Sequence, residues 1–236
     1  MQISPKTVKS NVISIFILSL FFKDKKISKV QNKESKFNWK LPVYGAVGFG
    51  AGGSICGAFE NAVRGDILPA ALGIIGLAIL GAIGGTALGL ALNDKKNALY
   101  LSCAGAAGFA AGGVIKFTAW FFIILGIGIV IGLATGFNTK STIVGIIMNA
   151  ALGGVFGLLI GGTGGAALGL ALNDKKNALY LSCAGAVGFA IGGAIGFAIG
   201  YAFQNMSYVI THTIMGVVGG AALGLTLAYL TKDEEK

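Results

Sequence analysis

The sequence predicts an all-α fold: a polytopic transmembrane bundle of three repeated glycine-rich helical hairpins. Three observations lead there. Hydrophobic residues make up 55% of the chain and charged residues only 11%, against about 25% charged in an ordinary soluble domain. Glycine occurs 40 times but proline three, and the glycines stand among alanine, leucine and isoleucine, as in tightly packed membrane helices. Finally, a long stretch recurs almost unchanged within the chain.

The first forty residues stand apart as a basic region, 1–40. Lys6, Lys9, Lys23, Lys25, Lys26, Lys29, Lys33, Lys36 and Lys40 lie there, opposed only by Asp24 and Glu34. Directly before a membrane span, such a cluster is expected to anchor the amino terminus in the cytoplasm by the positive-inside rule; no nucleic-acid partner is expected. The apolar run 12–22 is flanked by lysines and too short to span. It reads first as a surface-lying helix and second as an uncleaved signal-like segment.

From residue 41 to 232 the chain is almost continuously apolar, a transmembrane repeat domain whose partner is the lipid bilayer. Polar punctuation separates segments 43–63, 67–92, 98–115, 117–137, 143–172, 178–203 and 208–230. Most approach or exceed the roughly 20 residues a helix needs to cross a bilayer. They lack the polar face of a soluble core helix.

The internal repeat groups these segments. Residues 88–113, LGLALNDKKNALYLSCAGAAGFAAGG, and 168–193, LGLALNDKKNALYLSCAGAVGFAIGG, differ at two of twenty-six positions. Diverged copies flank them: AVGFGAGG at 46–53 matches 106–113 and 186–193, and GGAALGLTL at 219–227 matches 84–92 and 164–172. The unit is a GAVGFxxGG helix followed by a GGAALGLAL helix, giving hairpins of about 43–92, 98–172 and 178–230. The inserted segment 117–137 leaves two topologies open. Six spans put both NDKKN connections on one side, and seven put them on opposite sides. Lysine in both connections and the equivalence of the repeats favour six, with a break near Gly112, Gly113 and Lys116.

Glycines recur every fourth residue: Gly81, Gly85, Gly89; Gly157, Gly161, Gly165, Gly169; Gly188, Gly192, Gly196, Gly200; and Gly216, Gly220, Gly224. That spacing places each set on one helix stripe, where a second backbone can approach closely. In water each such glycine would cost about 1 kcal/mol relative to alanine. The ladders resemble those of glycine-zipper membrane proteins, a motif-level grouping. The resemblance covers 43–230 and implies close helix contacts, within one chain or between chains of a homo-oligomer. YGAVGFGAGGSICGAF is also superficially similar to the first helix of rotary-ATPase proteolipid subunits, but segments 67–92 and 143–172 hold no acidic residue inside them, so no ion-translocating role carries over.

Chemistry-bearing residues are few. Cys56, Cys103 and Cys183 lie in apolar runs with no CxxC pair, and they read as small packed residues. Glu60 and Arg64 are spaced to pair on one helix face near a membrane boundary. Lys116 is expected to snorkel to an interface. His212, the only histidine, falls in a polar connection and lacks the second histidine of a usual metal site. GFGAGG and GGTGG lack the strand and Lys-Ser/Thr of a phosphate loop. No catalytic group, cofactor or metal is expected, and no enzyme. Trp39, Tyr44, Tyr100, Tyr180 and Tyr229 fit interfacial anchors, and Asn149 marks an interior-facing surface. The functional expectation is a structural or assembly-type membrane protein, and the alternative is a pore or small-solute or ion transporter.

Overall fold

A computed structural model describes residues 37–62, 69–93, 95–134, 142–172, 175–203 and 207–233. The basic region 1–36, Arg64 and Asp66 lie outside the described residues. All regular structure among those described is helical: α1 Lys40–Ala62, α2 Pro69–Ala91, α3 Lys95–Ala134, α4 Thr142–Ala171, α5 Lys175–Ala202 and α6 Ser207–Asp233. Five of them, α2 to α6, contain a stretch long and apolar enough to cross a membrane. Helix α1 has the length, at 23 residues, but its six glycines, Ser54 and Glu60 lower its hydropathy.

Segment 117–137 does not form a separate element. As far as Ala134 it continues α3, which runs 40 residues, about 60 Å at 1.5 Å per residue. The break expected near Gly112, Gly113 and Lys116 is absent. Gly112 and Gly113 are both buried, so these glycines serve packing and leave the helix intact. Asn93 has a left-handed φ of 56°, and its N–H donates to the Leu90 carbonyl at 3.0 Å. It therefore ends α2, the role asparagine fills when glycine is not used.

Each helix packs on the next, and α6 packs back on α1, so the six close into a circle of neighbours. Neighbours run antiparallel. A β-carbon at Gly89 would fall on Ala98, at Gly169 on Ala178, and at Gly224 on Leu41. These contacts put the ends of α2, α4 and α6 at one end of the bundle, together with the starts of α1, α3 and α5. Trp39 and Tyr229 are exposed there, with Phe37 between them at ring-centroid distances of 4.7 and 6.3 Å.

Two glycine faces make the circle. On the first, backbone meets backbone. Gly81 lies against Gly105, Gly161 against Gly185, and Gly220 against Gly45, each so near that a β-carbon would strike the opposing carbonyl. On the second, Gly84, Gly164 and Gly219 make room for aromatic rings, those of Phe49, Phe109 and Phe189 in turn. The three phenylalanines are fully buried. Their rings touch one another at centroid separations of 5.2, 5.7 and 5.1 Å, within the range of favourable aromatic pairs. They fill the axis.

The closure carries a register shift. Gly81–Gly105 and Gly161–Gly185 pair corresponding residues of the sequence copies. At the α6–α1 seam the residue facing Gly45 is Gly220, not Gly216, while Gly216 faces Phe49. The shift is four residues, one helical turn of about 5.4 Å. It sets His212 beside Gly53 and Tyr208 beside Gly57.

The outward faces are apolar. Val47, Leu99, Ile147, Leu170, Leu179 and Val187 are among the large side chains left exposed. Hydroxyl groups fold back on their own helix, as Thr86 does to the Ala82 carbonyl at 2.8 Å and Thr163 to that of Leu159 at 2.9 Å. Asn149 likewise donates to the Gly145 carbonyl at 2.9 Å. A surface of this kind suits lipid, where any unpaired polar group is costly.

The two glycine environments within one helix give a direct test. Gly161→Ala sets a methyl on the Gly185 backbone and should lower stability in detergent by about 1–3 kcal/mol. Gly162→Ala meets Ala186 at an ordinary 3.6 Å and should be neutral or gain up to about 1 kcal/mol of helix propensity. Thermal unfolding of both variants side by side checks this; equal losses would show that the buried stripe is not a packing face.

Candidate functional site

Every ladder glycine named in the sequence is buried. Gly85 and Gly165 lie on the Leu101 and Leu181 carbonyls, Gly157 on that of Phe189, Gly192 on Met215, Gly196 on Thr211, and Gly188 on Ala222. These are contacts between helices of one chain. They position the site and hold no reactive group.

The chemistry lies inside the bundle, beyond the phenylalanine layer. In α1, positions 49, 52, 56 and 60 follow the helical repeat and face the same way. Seven residues beyond each axial phenylalanine stand Cys56, Lys116 and Gly196. Two turns from the phenylalanine layer, about 10 Å along α1, the bundle therefore carries polar side chains inside. The glycine stripes did not point to this level. A sequence signal was present: the copies agree at the phenylalanine and at Gly52, Gly112 and Gly192, and diverge seven residues beyond the phenylalanine.

Glu60 is the centre of the cluster. Its Oε1 lies 3.6 Å from Lys116 Nζ and 3.5 Å from His212 Nε2. The side chains of Glu60 and Lys116 are 16% and 18% exposed, and that of His212 1%. Glu60 thus pairs across helices with α3 and α6. Lys116 does not snorkel outward; it turns inward, its Nζ 5.4 Å from the Phe156 ring centroid, where a cation–π attraction supports it. His212 belongs to α6 and is fully buried, not part of a connection, because the seam shift draws the start of α6 alongside α1.

The imidazole is oriented from behind. His212 Nδ1 stands 2.8 Å from the Tyr208 carbonyl oxygen. A carbonyl only accepts, so Nδ1 carries a hydrogen and donates it. Nε2 then points at Glu60 and Cys56 and has no hydrogen-bond partner. Both contacts to Glu60 exceed the roughly 2.7–2.9 Å of a charge-assisted hydrogen bond. The group is an open cluster of charges, not a closed network.

All six helices reach it. Helix α1 supplies Cys56, which is fully buried, and Glu60; α3 supplies Lys116 and α6 His212. Gly73 and Gly76 of α2 face Glu60 and Cys56. Phe156 of α4 lies under Lys116, and the Phe197 ring of α5 is 6.4 Å from that of His212. Ser54 Oγ and Thr213 Oγ1 bond at 2.8 Å across the adjacent α1–α6 interface. Cys56 Sγ, a Glu60 oxygen and a His212 nitrogen all lie within 4.8 Å of one another. Spacing along the chain did not announce this set, because its members come from opposite ends of the sequence. Cys103 and Cys183 are exposed and take no part.

Comparisons of the chain with family models, with curated proteins and with solved structures give no match. The chemistry of the cluster therefore rests on its own groups. Removing one partner of a buried pair strands the other charge, at a cost of about 3 kcal/mol or more. In chelator-treated protein, Lys116→Met should lower stability by that order, and Glu60→Gln combined with it should restore most of the loss. A double-mutant cycle on thermal stability checks the coupling; additive losses would mean that the two side chains do not interact.

Proposed function

We propose that this chain is a multi-pass integral membrane protein of structural or assembly type. In this reading three equivalent glycine-zipper hairpins seal against one another about a pseudo-threefold axis. The observation that carries it is the filled axis. The phenylalanine rings pack together at the centre, and glycine backbones meet at the hairpin joints. Van der Waals packing of that kind drives helix association in lipid. An open pore would instead need a polar or hydrated lining. The apolar outer surface supports the membrane setting.

Lys40, Lys95 and Lys175 gather at one end of the bundle, so by the positive-inside rule that end, which includes the start of α1, faces the cytoplasm in this reading. One specific observation favours a second reading, that of an ion or small-solute transporter: ionisable groups inside a transmembrane bundle mark substrate or ion pathways by default. The filled axis weighs against an open channel and leaves gated transport as the form this alternative takes.

Alkaline carbonate washing should leave the protein in the membrane pellet. Lys95→Cys and Lys175→Cys, each placed in a Cys56→Ala, Cys103→Ser, Cys183→Ser background, should both resist an impermeant thiol reagent on intact cells and both react after permeabilisation. Labelling of only one on intact cells would overturn the six-helix topology, whereas labelling of both would invert the orientation. In reconstituted vesicles, the sealed-bundle reading expects ion leakage no faster than in protein-free controls; a robust leak would favour the transporter.

A further inference from the structure

We propose that Cys56, Glu60 and His212 form a binding site for a thiophilic transition-metal ion of the zinc class. The inference concerns the cluster alone and holds for either reading of the protein's role.

The donor set fits such an ion. A thiolate, an imidazole nitrogen and a carboxylate oxygen are the three ligand types zinc takes, at about 2.3, 2.0 and 2.0–2.2 Å. Two ligands at those N and O distances on a tetrahedron stand about 3.3 Å apart, and Glu60 Oε1 and His212 Nε2 stand 3.5 Å apart. All three ligand atoms lie within 4.8 Å of one another, so a modest inward turn of the Cys56 side chain completes a trigonal face.

The second observation is the imidazole itself. His212 is fully buried, and its Nε2 has no hydrogen-bond partner. Its Nδ1–H is donated to the Tyr208 carbonyl at 2.8 Å. Ligating histidines carry just this outer bond, which fixes the tautomer and aims the other nitrogen's lone pair at the metal. Nε2 stands 3.5 Å from the Glu60 oxygen with no hydrogen bond between them. A metal ion seated between the two atoms would bind both. Cys56 and Glu60, four residues apart, share one face of α1 and so offer two ligands from a rigid element.

Lys116 is the competing cation, 3.6 Å from the same Glu60 oxygen. A carboxylate has two oxygens. One can take the metal while the other keeps the ammonium. Binding of a divalent ion releases the Cys56 thiol proton to solvent, so the site gains a single positive charge. That gain is why removing Lys116 should tighten the metal.

The test uses the full chain, purified in detergent, stripped with chelator, with Cys103 and Cys183 changed to serine so that Cys56 is the only thiol. Titration with Co²⁺ should show one ion per chain, with a thiolate-to-cobalt charge-transfer band and tetrahedral d–d bands, both displaced by Zn²⁺. Cys56→Ser should abolish the charge-transfer band, and His212→Gln should weaken binding at least about tenfold. Lys116→Met gives a readout that does not depend on those variants folding: its lowered melting temperature should recover on adding Zn²⁺, and it should bind Co²⁺ more tightly than its parent. Absence of the charge-transfer band in the parent, its survival in Cys56→Ser, or a Lys116→Met melting temperature indifferent to Zn²⁺ would each overturn the site.

Discussion

Backbone-to-backbone approach at glycine is the constraint from which the rest of this structure follows. Lipid tails are as apolar as leucine, so burying leucine between helices gains little over leaving it in the bilayer. What remains is contact distance. At Gly81–Gly105, Gly161–Gly185 and Gly220–Gly45 the helices approach until a single β-carbon would not fit. Each such joint forces the next helix to a defined side. Repeated around the bundle, the joints return α6 to α1 and enclose a narrow axis.

A narrow axis still has to be filled, and the phenylalanine of each GFxxGG segment does that. Its ring needs space on the facing helix, which Gly84, Gly164 and Gly219 provide. The two glycine faces therefore have opposite purposes: one removes side chains so that backbones can touch, and the other removes them so that an aromatic ring can enter. Aromatic contact supplies a dispersion-rich layer and divides the interior. On the side where α1, α3 and α5 start the core is leucine, with Leu41, Leu88, Leu101, Leu168, Leu181 and Leu223 all buried. On the other side lie Cys56, Glu60, Lys116 and His212.

The glycine period and the repeat were legible in the sequence because both are local patterns, read from residues four apart or eighty apart. The glycine joints pair α2 with α3, α4 with α5 and α6 with α1, which the period alone did not specify. The continuation of α3 through Gly112 and Gly113 is not legible in the sequence, since glycine pairs are a usual cause of helix kinks, and here the neighbouring helices occupy the space they leave. Spacing along the chain reveals partners on one element only, as with Glu60 and Arg64, and Arg64 lies outside the described residues. The partner of Glu60 on α6 depends on the seam register, and nothing in residues 207–233 alone encodes a one-turn offset against α1. That offset is a property of closure: two joints of equal register can leave the third to absorb the difference.

In the proposed three-hairpin reading, the polar cluster also bears on why the hairpins share one chain. A bundle of three identical separate hairpins would place the same residue at the axial position beyond the phenylalanine three times over. Three lysines there would repel strongly at low dielectric, and three cysteines would leave Glu60 without a cation. A single chain lets that position diverge, to Cys56, Lys116 and Gly196, while the packing residues stay nearly constant. The small third residue makes room, with the Thr211 hydroxyl donating to the Gly196 carbonyl at 3.0 Å. The opposing elements diverge at the same level, where Leu77, Gly157 and His212 correspond. One carboxylate, one ammonium and one imidazole can then meet off-centre at the seam. Symmetric packing holds the helices, and the asymmetry confined to one layer is what gives the interior any chemistry at all.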